Sequence, residues 1–240
     1  MTITNADTEF LHIMVDNETL GIQPNRNPVL QMALVYFDPE NFTVNDTKAV
    51  YFPMDEQIQK GRVVNKETVD WWGKPERRDV LNTILGEMNQ AKPCEEGLWE
   101  IYRWLDDLRK TVGGGKAVKT VFWAKPVGFD YPFVDGLFLD HGVPSPFHYQ
   151  QVIDMCSHIT SMLKAAFFHT YHRQLPHGVA LDMYWRLRIK TTQEEAGAHN
   201  AINDCLYQIK WLKIATENTK SVLEHYDLHG DLKDYEPKYL

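Results

Sequence analysis

The stretch that most constrains the fold of this chain is a short apolar run that ends in two closely spaced acids. Leu11–Val15 has the length and composition of a strand, and Asp16-Asn17-Glu18 follows it directly. Because side chains alternate along a strand, Asp16 and Glu18 are expected to point the same way at the strand's exit. Two carboxylates this close repel each other, so they need a cation, a shared proton or a basic partner. The alternative for an isolated Asp-x-Glu is a solvated strand end that enters a loop.

The composition allows a sizeable core and sets an expected location. The chain has 240 residues, of which 43% are hydrophobic and 24% are charged, and this suits one large domain or two small ones. The longest apolar runs are short and broken by charge, so no membrane span is predicted. Residues 1–9 lack a basic start followed by an apolar core, and a cytoplasmic protein is therefore the expectation, in the host cytoplasm if a phage encodes it.

The three cysteines and the negative net charge limit which structural sites and binding partners are expected for this chain. Cys94, Cys156 and Cys205 have no paired spacing, which argues against a disulfide framework and a zinc knuckle and favours buried apolar roles. The net charge of -8 argues against a nucleic-acid-binding surface, because phosphate contacts favour a basic one. That objection weakens if part of the negative charge holds metal, since bound divalent ions reverse the local sign.

Strand and helix patterns alternate along the chain. After the first strand, strands are predicted at Val29–Phe37, Ala49–Phe52, Val118–Ala124 and Phe147–Ile153. Helices are predicted at Lys66–Trp72 with Asn65 as N-cap, Arg77–Met88, Glu95–Val112, Tyr131–Leu139, Cys156–Phe168 and Val179–Ile189, with a last helix headed by His199. Three early strands with brief links suggest an antiparallel meander, and the later alternation indicates an α/β fold. Residues 217–240 have few apolar anchors and are expected to be peripheral or frayed.

Two further acids and a histidine stand at predicted helix starts. Gly128-Phe129-Asp130 follows the Val118–Ala124 strand, a position where α/β folds tend to place functional acids. His199 precedes the last helix, and Asp204 lies in its opening turns. Each has an ordinary alternative, because Asp130 can be a helix N-cap and His199 a polar loop residue. Asp154 is most simply a cap.

Trp71-Trp72 has two interpretations. Exposed aromatic side chains stack on unpaired bases, which would place these residues at a nucleic-acid site. Adjacent tryptophans on a short helix more often anchor a core, and this interpretation is the favoured one.

Taken together, the motifs resemble those of the DnaQ-like, or DEDD, 3′-5′ exonucleases in their histidine-containing DEDDh branch. Val15–Gly21 matches the first motif, Gly128-Phe129-Asp130 the second, and His199 with Asp204 the third, in the same order and at similar intervals. The three motifs are specific jointly, whereas any one alone would be weak.

The resemblance covers roughly residues 10–215 and extends to two further stretches. Lys66–Trp72 and Trp123-Ala124-Lys125 look like the DexA-type bacteriophage exonucleases and their exoribonuclease-like relatives. One departure is that many family members carry Asn upstream of the second motif, where this chain has Trp123–Val127. This departure affects the details of the expected contacts with substrate, but not the expected role of Asp130.

The resemblance implies an RNase H-like fold, a central mixed five-stranded sheet with its antiparallel strands first, flanked by helices. It also implies that Asp16, Glu18 and Asp204 hold one Mg²⁺ or Mn²⁺, that Asp16 bridges to a second ion, and that Asp130 completes the second site. Oxygen ligands suit these ions, and two such ions support phosphodiester hydrolysis. His199 would take the proton from the attacking water, and its place beside Gly197 in the polar loop Thr191–Ala198 fits a residue that closes on substrate.

The implied reaction is removal of nucleoside 5′-monophosphates from the 3′ end of single-stranded DNA, with RNA trimming as the close alternative. The expected substrate contacts are Thr19, Leu20, Gly21 and Phe129. The exonuclease domain is predicted at residues 1–218, with a tail at residues 219–240, and the oligomeric state stays open, a homodimer being one option.

Two other classes remain as alternatives. A catalytically silent nucleic-acid-binding module need not keep all five candidate site residues, and their joint presence argues against it. A zinc hydrolase could use His169, His172 and His177, but their spacing fits no familiar zinc helix.

Overall fold

The structure is a computed structural model that describes residues 8–188 and 199–237, and the strands in these ranges form one sheet. They are β1 (Thr8–Thr19), β2 (Val29–Phe37), β3 (Val44–Tyr51), β4 (Ala117–Ala124) and β5 (Val152–Asp154). Their order is β3-β2-β1-β4-β5. Neighbours are antiparallel from β3 to β1 and parallel from β1 to β5. The mixed five-stranded sheet, with its antiparallel strands first, is therefore confirmed.

Helices flank the sheet. The described residues contain α1 (Met54–Gln59), α2 (Lys66–Trp72), α3 (Pro75–Met88), α4 (Cys94–Gly113), α5 (Val127–Asp140), α6 (Met155–Tyr171), α7 (His177–Arg186) and α8 (Ala201–His229). Asn65 caps α2 as predicted, since its side chain accepts a hydrogen bond from the Thr68 N–H at 2.9 Å. Helix α1 was missed because six residues are too few to show a helical period. Of the helix predicted at Val179–Ile189, Ile189 lies outside the described residues.

The strand predicted at Phe147–Ile153 is wrong over most of its length. A short 3₁₀ helix occupies Tyr149–Gln151, and only Val152–Asp154 pairs with β4. The His148 side chain accepts a hydrogen bond from the Gln150 N–H at 3.3 Å. This local bond favours a turn and competes with strand pairing.

Alternate side chains of the central strands enter two separate cores, one on each side of the sheet. On β1, Met14 packs with residues of α6, α7 and α8, whereas Ile13 and Val15 pack with residues of α4 and α5. We call these two sides the α8 face and the α5 face. Because both faces are covered, polar side chains on the central strands are taken out of bulk water.

Helix α8 continues well past residue 218. Val222 and Leu223, together with Leu232 and Tyr235 beyond the helix, are buried in the core of the α8 face. The expectation of a peripheral or frayed tail is thus wrong for residues 219–237, because the few apolar anchors are placed so that they face the core.

Two of the three cysteines are buried, as predicted, and Cys156 is half-buried. Asp154 is a cap, also as predicted, and its carboxylate has a second partner. It accepts a hydrogen bond from Ser157 N–H at the start of α6 (2.8 Å) and one from Val127 N–H at the start of α5 (3.1 Å). Within the described ranges, no helix is both long and apolar enough to cross a bilayer.

Candidate active site

The carboxyl end of β1 brings the first two acids into the interior. Asp16 and Glu18 lie on the α8 face of the strand, opposite Ala33 and Gln31 of β2. Glu18 is only 7% exposed, and β1 continues to Thr19. The solvated strand end is therefore excluded, and both carboxyls face the same side as expected.

Asp130 reaches the same edge of the sheet from α5. Strands β1 and β4 are parallel, so their carboxyl ends meet at one edge, and α5 begins directly after β4. Asp130 is buried, and its Oδ1 accepts hydrogen bonds from the Asn17 backbone N–H at 3.1 Å and side-chain N–H at 2.9 Å. The N-cap position of α5 is Pro126, so the alternative role of Asp130 as a cap is wrong.

Helix α8 adds Asp204 in its first turns and Gln208 one turn later. The Gln208 side chain donates a hydrogen bond to Asp16 Oδ1 at 2.8 Å. The helix begins at Ala201, and its N-cap Asn200 accepts hydrogen bonds from the N–H groups of Ile202 and Asn203. This cap fixes the helix start, and with it the position of Asp204.

Burial raises the pKa of all four carboxyl groups, and repulsion from neighbouring carboxylates adds to it for Asp16, Glu18 and Asp130. Loss of hydration is the largest cause in each case, and it raises the pKa of Asp130 to about 7 and that of Asp204 to about 6. For Asp16 and Glu18, burial raises the pKa well above its ordinary value, and the neighbouring carboxylates raise it further. The acids predicted from three separate motifs therefore share one pocket of negative charge.

This cluster is suited to hold cations. Glu18, His199 and Asp204 offer ligand atoms that all lie within 4.8 Å of one another. Glu18 Oε1 is inaccessible to solvent and has no hydrogen-bond partner within the described residues. A buried carboxylate oxygen without a partner is costly, and hard divalent cations take such oxygens as ligands. The donor set therefore fits Mg²⁺ or Mn²⁺.

His199 lies beside the acids with its ring against an aromatic side chain. Its ring centroid is 4.7 Å from that of Trp71, in an edge-to-face arrangement. Burial, and then the charge of Arg77, lower the pKa of His199, so the ring is neutral at pH 7. The predicted loop at Thr191–Ala198, with Gly197, lies outside the described residues.

A pocket of about 380 Å³ opens next to Glu18. Of the four predicted substrate contacts, Thr19, Gly21 and Phe129 line it. The other lining residues are Asn17, Ile22 and the α2 residues Glu67, Thr68, Trp71 and Trp72. Leu20 is not among the lining residues, because it is buried in a cluster with Leu30 and Trp72.

The two adjacent tryptophans have different environments. Trp72 is 1% exposed, and its indole N–H donates a hydrogen bond to the Thr19 carbonyl at 3.1 Å. Trp71 is half-buried, lines the pocket and has the Arg77 guanidinium 4.1 Å from its ring centre. The core interpretation therefore holds for Trp72, which borders the pocket but is almost fully buried, whereas Trp71 has exposed surface that a ligand could contact.

Comparison with known proteins gives the family. A family model described as the 3′-5′ exoribonuclease Rv2179c-like domain matches residues 11–216. The chain belongs to this family. The membership confirms the resemblance to the DnaQ-like 3′-5′ exonucleases and makes the chain a member of a 3′-5′ exonuclease family, while the narrower likeness to DexA-type phage enzymes stays a prediction. No similar sequence was found among curated proteins.

Solved structures of E. coli exonuclease I have the same fold. The zinc-bound complex of that enzyme with single-stranded DNA aligns with a TM-score of 0.56 at 16% identity, over 92% of this chain and 43% of the other. Its complex with a dA16 oligonucleotide gives 0.56 at 15% identity, over 93% and 44%. This chain thus spans less than half the length of exonuclease I. The RNase H-like exonuclease fold predicted from the sequence is confirmed.

Three polar residues of this candidate site were not singled out from the sequence. Asn17 stands between the two acids of the first motif, and Gln208 follows Asp204 by one helical turn, a spacing that could have drawn attention to it. Lys125 lies in the stretch that departs from the family pattern. Its charge lowers the pKa of both Asp130 and Asp204, and its ammonium group is 5.0 Å from the Trp211 ring centre.

Proposed function

We propose that this exonuclease hydrolyses the last phosphodiester bond at the 3′ end of a single-stranded nucleic acid and releases a nucleoside 5′-monophosphate. The observation that carries the proposal is the convergence of Asp16, Glu18, Asp130 and Asp204 beside His199 at one edge of the sheet. The roles of the individual residues are part of the proposal.

The four carboxylates are proposed as the ligands of two Mg²⁺ or Mn²⁺ ions. Asp16, Glu18 and Asp204 would hold one ion, and Asp16 with Asp130 the other. When bound, such a pair neutralises charge on the phosphate and makes a water molecule more acidic. The chain itself positions the ligands, because Gln208 orients Asp16 and Asn17 orients Asp130 through the hydrogen bonds given above.

His199 is proposed as the general base. Its imidazole is neutral at pH 7 because burial and Arg77 lower its pKa, so a ring nitrogen can accept the proton of the attacking water. Contact with Trp71 restricts the orientation of the ring. The ring's position beside Glu18 and Asp204 supports this role, because the metal ions that those carboxylates would bind are proposed to hold the scissile phosphate.

The pocket is proposed to receive the terminal nucleoside. Its volume of about 380 Å³ lies within the range of small-molecule sites. Trp71 and Phe129 offer faces on which a base can stack, and stacking tolerates every base. Glu67 and Thr68 offer polar groups to the sugar.

RNA is the first substrate that we propose. The family model covers 206 residues of the chain and is described as that of an exoribonuclease. Single-stranded DNA, which the phage-like motifs favoured, is the second candidate, and the exonuclease I complexes with single-stranded DNA support it. The deciding contact is local, because a 2′-hydroxyl adds one donor and one acceptor at the sugar.

One set of assays tests these proposals. RNA and DNA strands of identical sequence, labelled at the 3′ or the 5′ end, are incubated with the protein and Mg²⁺, Mn²⁺ or a chelator. We expect mononucleotide release from the 3′ end, faster on RNA, and none with the chelator. Asp16→Asn protein purified in parallel controls for contaminating nuclease. Internal cleavage, 5′-to-3′ polarity or undiminished cleavage by the variant would overturn the proposed reaction, and faster cleavage of DNA would overturn only the preference for RNA.

A further inference from the structure

A second cluster of metal-ligating side chains lies away from the four carboxylates. Glu56 of α1, Cys94 at the first residue of α4, and His141 directly after α5 each offer one ligand atom, and these atoms all lie within 4.8 Å of one another. The three residues are far apart in the sequence, so no spacing motif reveals them. The fold alone brings a thiol, an imidazole and a carboxyl together.

The atoms of this cluster that could bind a metal are not all engaged in hydrogen bonds. His141 Nε2 is inaccessible to solvent and has no hydrogen-bond partner within the described residues. Cys94 Sγ is 3.6 Å from the Pro53 carbonyl oxygen, a long contact for a weak donor. The Glu56 carboxylate accepts a hydrogen bond from Cys94 N–H at 2.9 Å through one oxygen. A cluster built only for hydrogen bonding would be expected to satisfy a buried imidazole nitrogen.

We propose that Glu56, Cys94 and His141 form a second metal site, which takes Zn²⁺ or a transition metal of similar ligand preference. We call it the Cys94 site. Sulfur, nitrogen and carboxylate oxygen together are the ligands of Zn²⁺, whereas Mg²⁺ and Mn²⁺ favour oxygen. Ligand atoms around a tetrahedral Zn²⁺ are about 3.4–3.6 Å apart, and the three atoms here all lie within 4.8 Å of one another, so binding requires each pair to approach by at most about 1.4 Å. Water would take the fourth position.

The charges around the Cys94 site are compatible with an ion. Binding replaces the thiol proton with the metal and releases that proton to solvent, so a thiolate, a carboxylate and a divalent ion sum to zero. Two cations that lower the pKa of His141, Lys60 and Arg62, both bind Asp140, Lys60 at its carbonyl (2.8 Å) and Arg62 at its carboxylate (2.8 Å). Without metal, burial and then Glu56 raise the pKa of the Cys94 thiol to about 12, so the metal-free thiol is protonated.

The decisive experiment uses Co²⁺ as the probe on the metal-free 240-residue protein. Coordination by a thiolate gives cobalt an intense near-ultraviolet charge-transfer band that carboxylate ligands do not give. We expect the band in the wild-type protein and in Asp16→Asn, in which the four-carboxylate site is impaired. We expect its loss in Cys94→Ser and its retention in Cys156→Ser, the matched control. Absence of the band at saturating Co²⁺, or its survival in Cys94→Ser, would overturn the proposal.

The affinity for Zn²⁺ gives a second measurement. It uses variants of Glu56 and His141, so the test does not depend on whether Cys94→Ser folds. His141→Gln and Glu56→Gln should each weaken Zn²⁺ binding at this site by more than about 100-fold, since changes even outside the ligand set cost 10–100-fold. In Asp16→Asn protein, whose four-carboxylate site is impaired, Zn²⁺ should also raise the melting temperature, and this increase should be lost when His141→Gln is added. If both variants keep wild-type affinity, the ions occupy the four-carboxylate site alone and the Cys94 site does not exist.

Discussion

At the scale of single residues, His199 and the carboxylates have separable roles. We expect His199→Ala to lower turnover by about 10²–10⁴-fold, the range for loss of a general base, with little change in metal affinity. Single-turnover cleavage and calorimetric Mn²⁺ titration measure the two effects separately. Asp16→Asn is the matched control and should lose both. An equal loss of metal affinity in His199→Ala would instead make His199 a ligand.

Trp71 and Trp72 provide a second test at this scale. Trp71→Ala should raise KM by roughly 5–150-fold, because stacking contributes about 1–3 kcal/mol per base, and Trp71→Phe should keep most of the affinity. Neither change should greatly lower stability, since Trp71 is only half-buried. Trp72→Ala should cost about 3–5 kcal/mol in free energy of unfolding, as expected for a large buried side chain. KM from initial rates and denaturant unfolding decide between them, and an unchanged KM in Trp71→Ala would remove it from the substrate pocket.

The site acids could be predicted from the sequence, whereas the residues that orient them could not. Asp16, Glu18, Asp130 and Asp204 carry charge at motif positions and are visible without coordinates. The contact between Asn17 and Asp130 joins residues 113 positions apart, and it depends on where α5 lies against β1. An amide between two acids looks like any polar strand residue until its partner is placed.

At the scale of elements, the sequence predicted long segments well and short ones poorly. The bounds of β2 agree with the prediction, because the strand is buried on both faces at every residue except the half-buried Tyr36, and this gives a strong apolar run. Helix α1 and strand β5 have six and three residues, too few for a period to show. These two short elements form because contacts with neighbouring elements hold them in place. One example is the Gln57 side chain of α1, which exchanges hydrogen bonds of 2.9 and 2.7 Å with the Val29 backbone.

The end of α8 gives a test of the predicted domain limit. A chain truncated after residue 218 loses four side chains that are buried in the core of the α8 face, namely Val222, Leu223, Leu232 and Tyr235. At about 1.5–3 kcal/mol for each buried apolar side chain, we expect a loss of at least 5 kcal/mol, enough to unfold most domains of this size. Thermal melting followed by circular dichroism checks this. A truncated protein with a wild-type melting temperature would restore residues 219–240 as a dispensable tail.

At the scale of the whole molecule, the four carboxyl groups make the stability of the fold depend on pH and on bound metal. The folded-state pKa values of about 7 for Asp130 and about 6 for Asp204 exceed the unfolded value of about 4. Between these values the folded state binds more protons than the unfolded state, so in the absence of metal these groups lower stability as pH rises from about 4 to 7. Divalent ions should offset the loss, because they bind only the folded site.

The measurement compares melting temperatures at pH 5.5 and pH 8, with chelator and with Mg²⁺. Buried histidines with a lowered pKa act in the opposite direction, and His12 and His158 are two of them. For this reason the wild type is compared with Asp130→Asn, which keeps the histidines and removes one raised carboxyl. We expect the variant with chelator to be more stable than the wild type at pH 8 and less different from it at pH 5.5. An identical pH response of the two proteins would contradict the linkage.

Asp154 accepts hydrogen bonds from the starts of two helices, α5 and α6. This affects how a screen for inactivating substitutions should be interpreted. The Asp154 carboxylate ties the first residue of α5 to the start of α6, and Asp130, a proposed metal ligand, lies three positions after that first residue. A neutral residue in place of Asp154 would shift the start of α5, and with it Asp130, while the pocket residues of α2, Glu67, Thr68 and Trp71, would keep their positions. In a genetic screen, loss of activity on substitution of Asp154 would then look like the loss of a fifth metal ligand. The number of ions bound at saturation distinguishes the two roles, and we expect it to stay at the wild-type value.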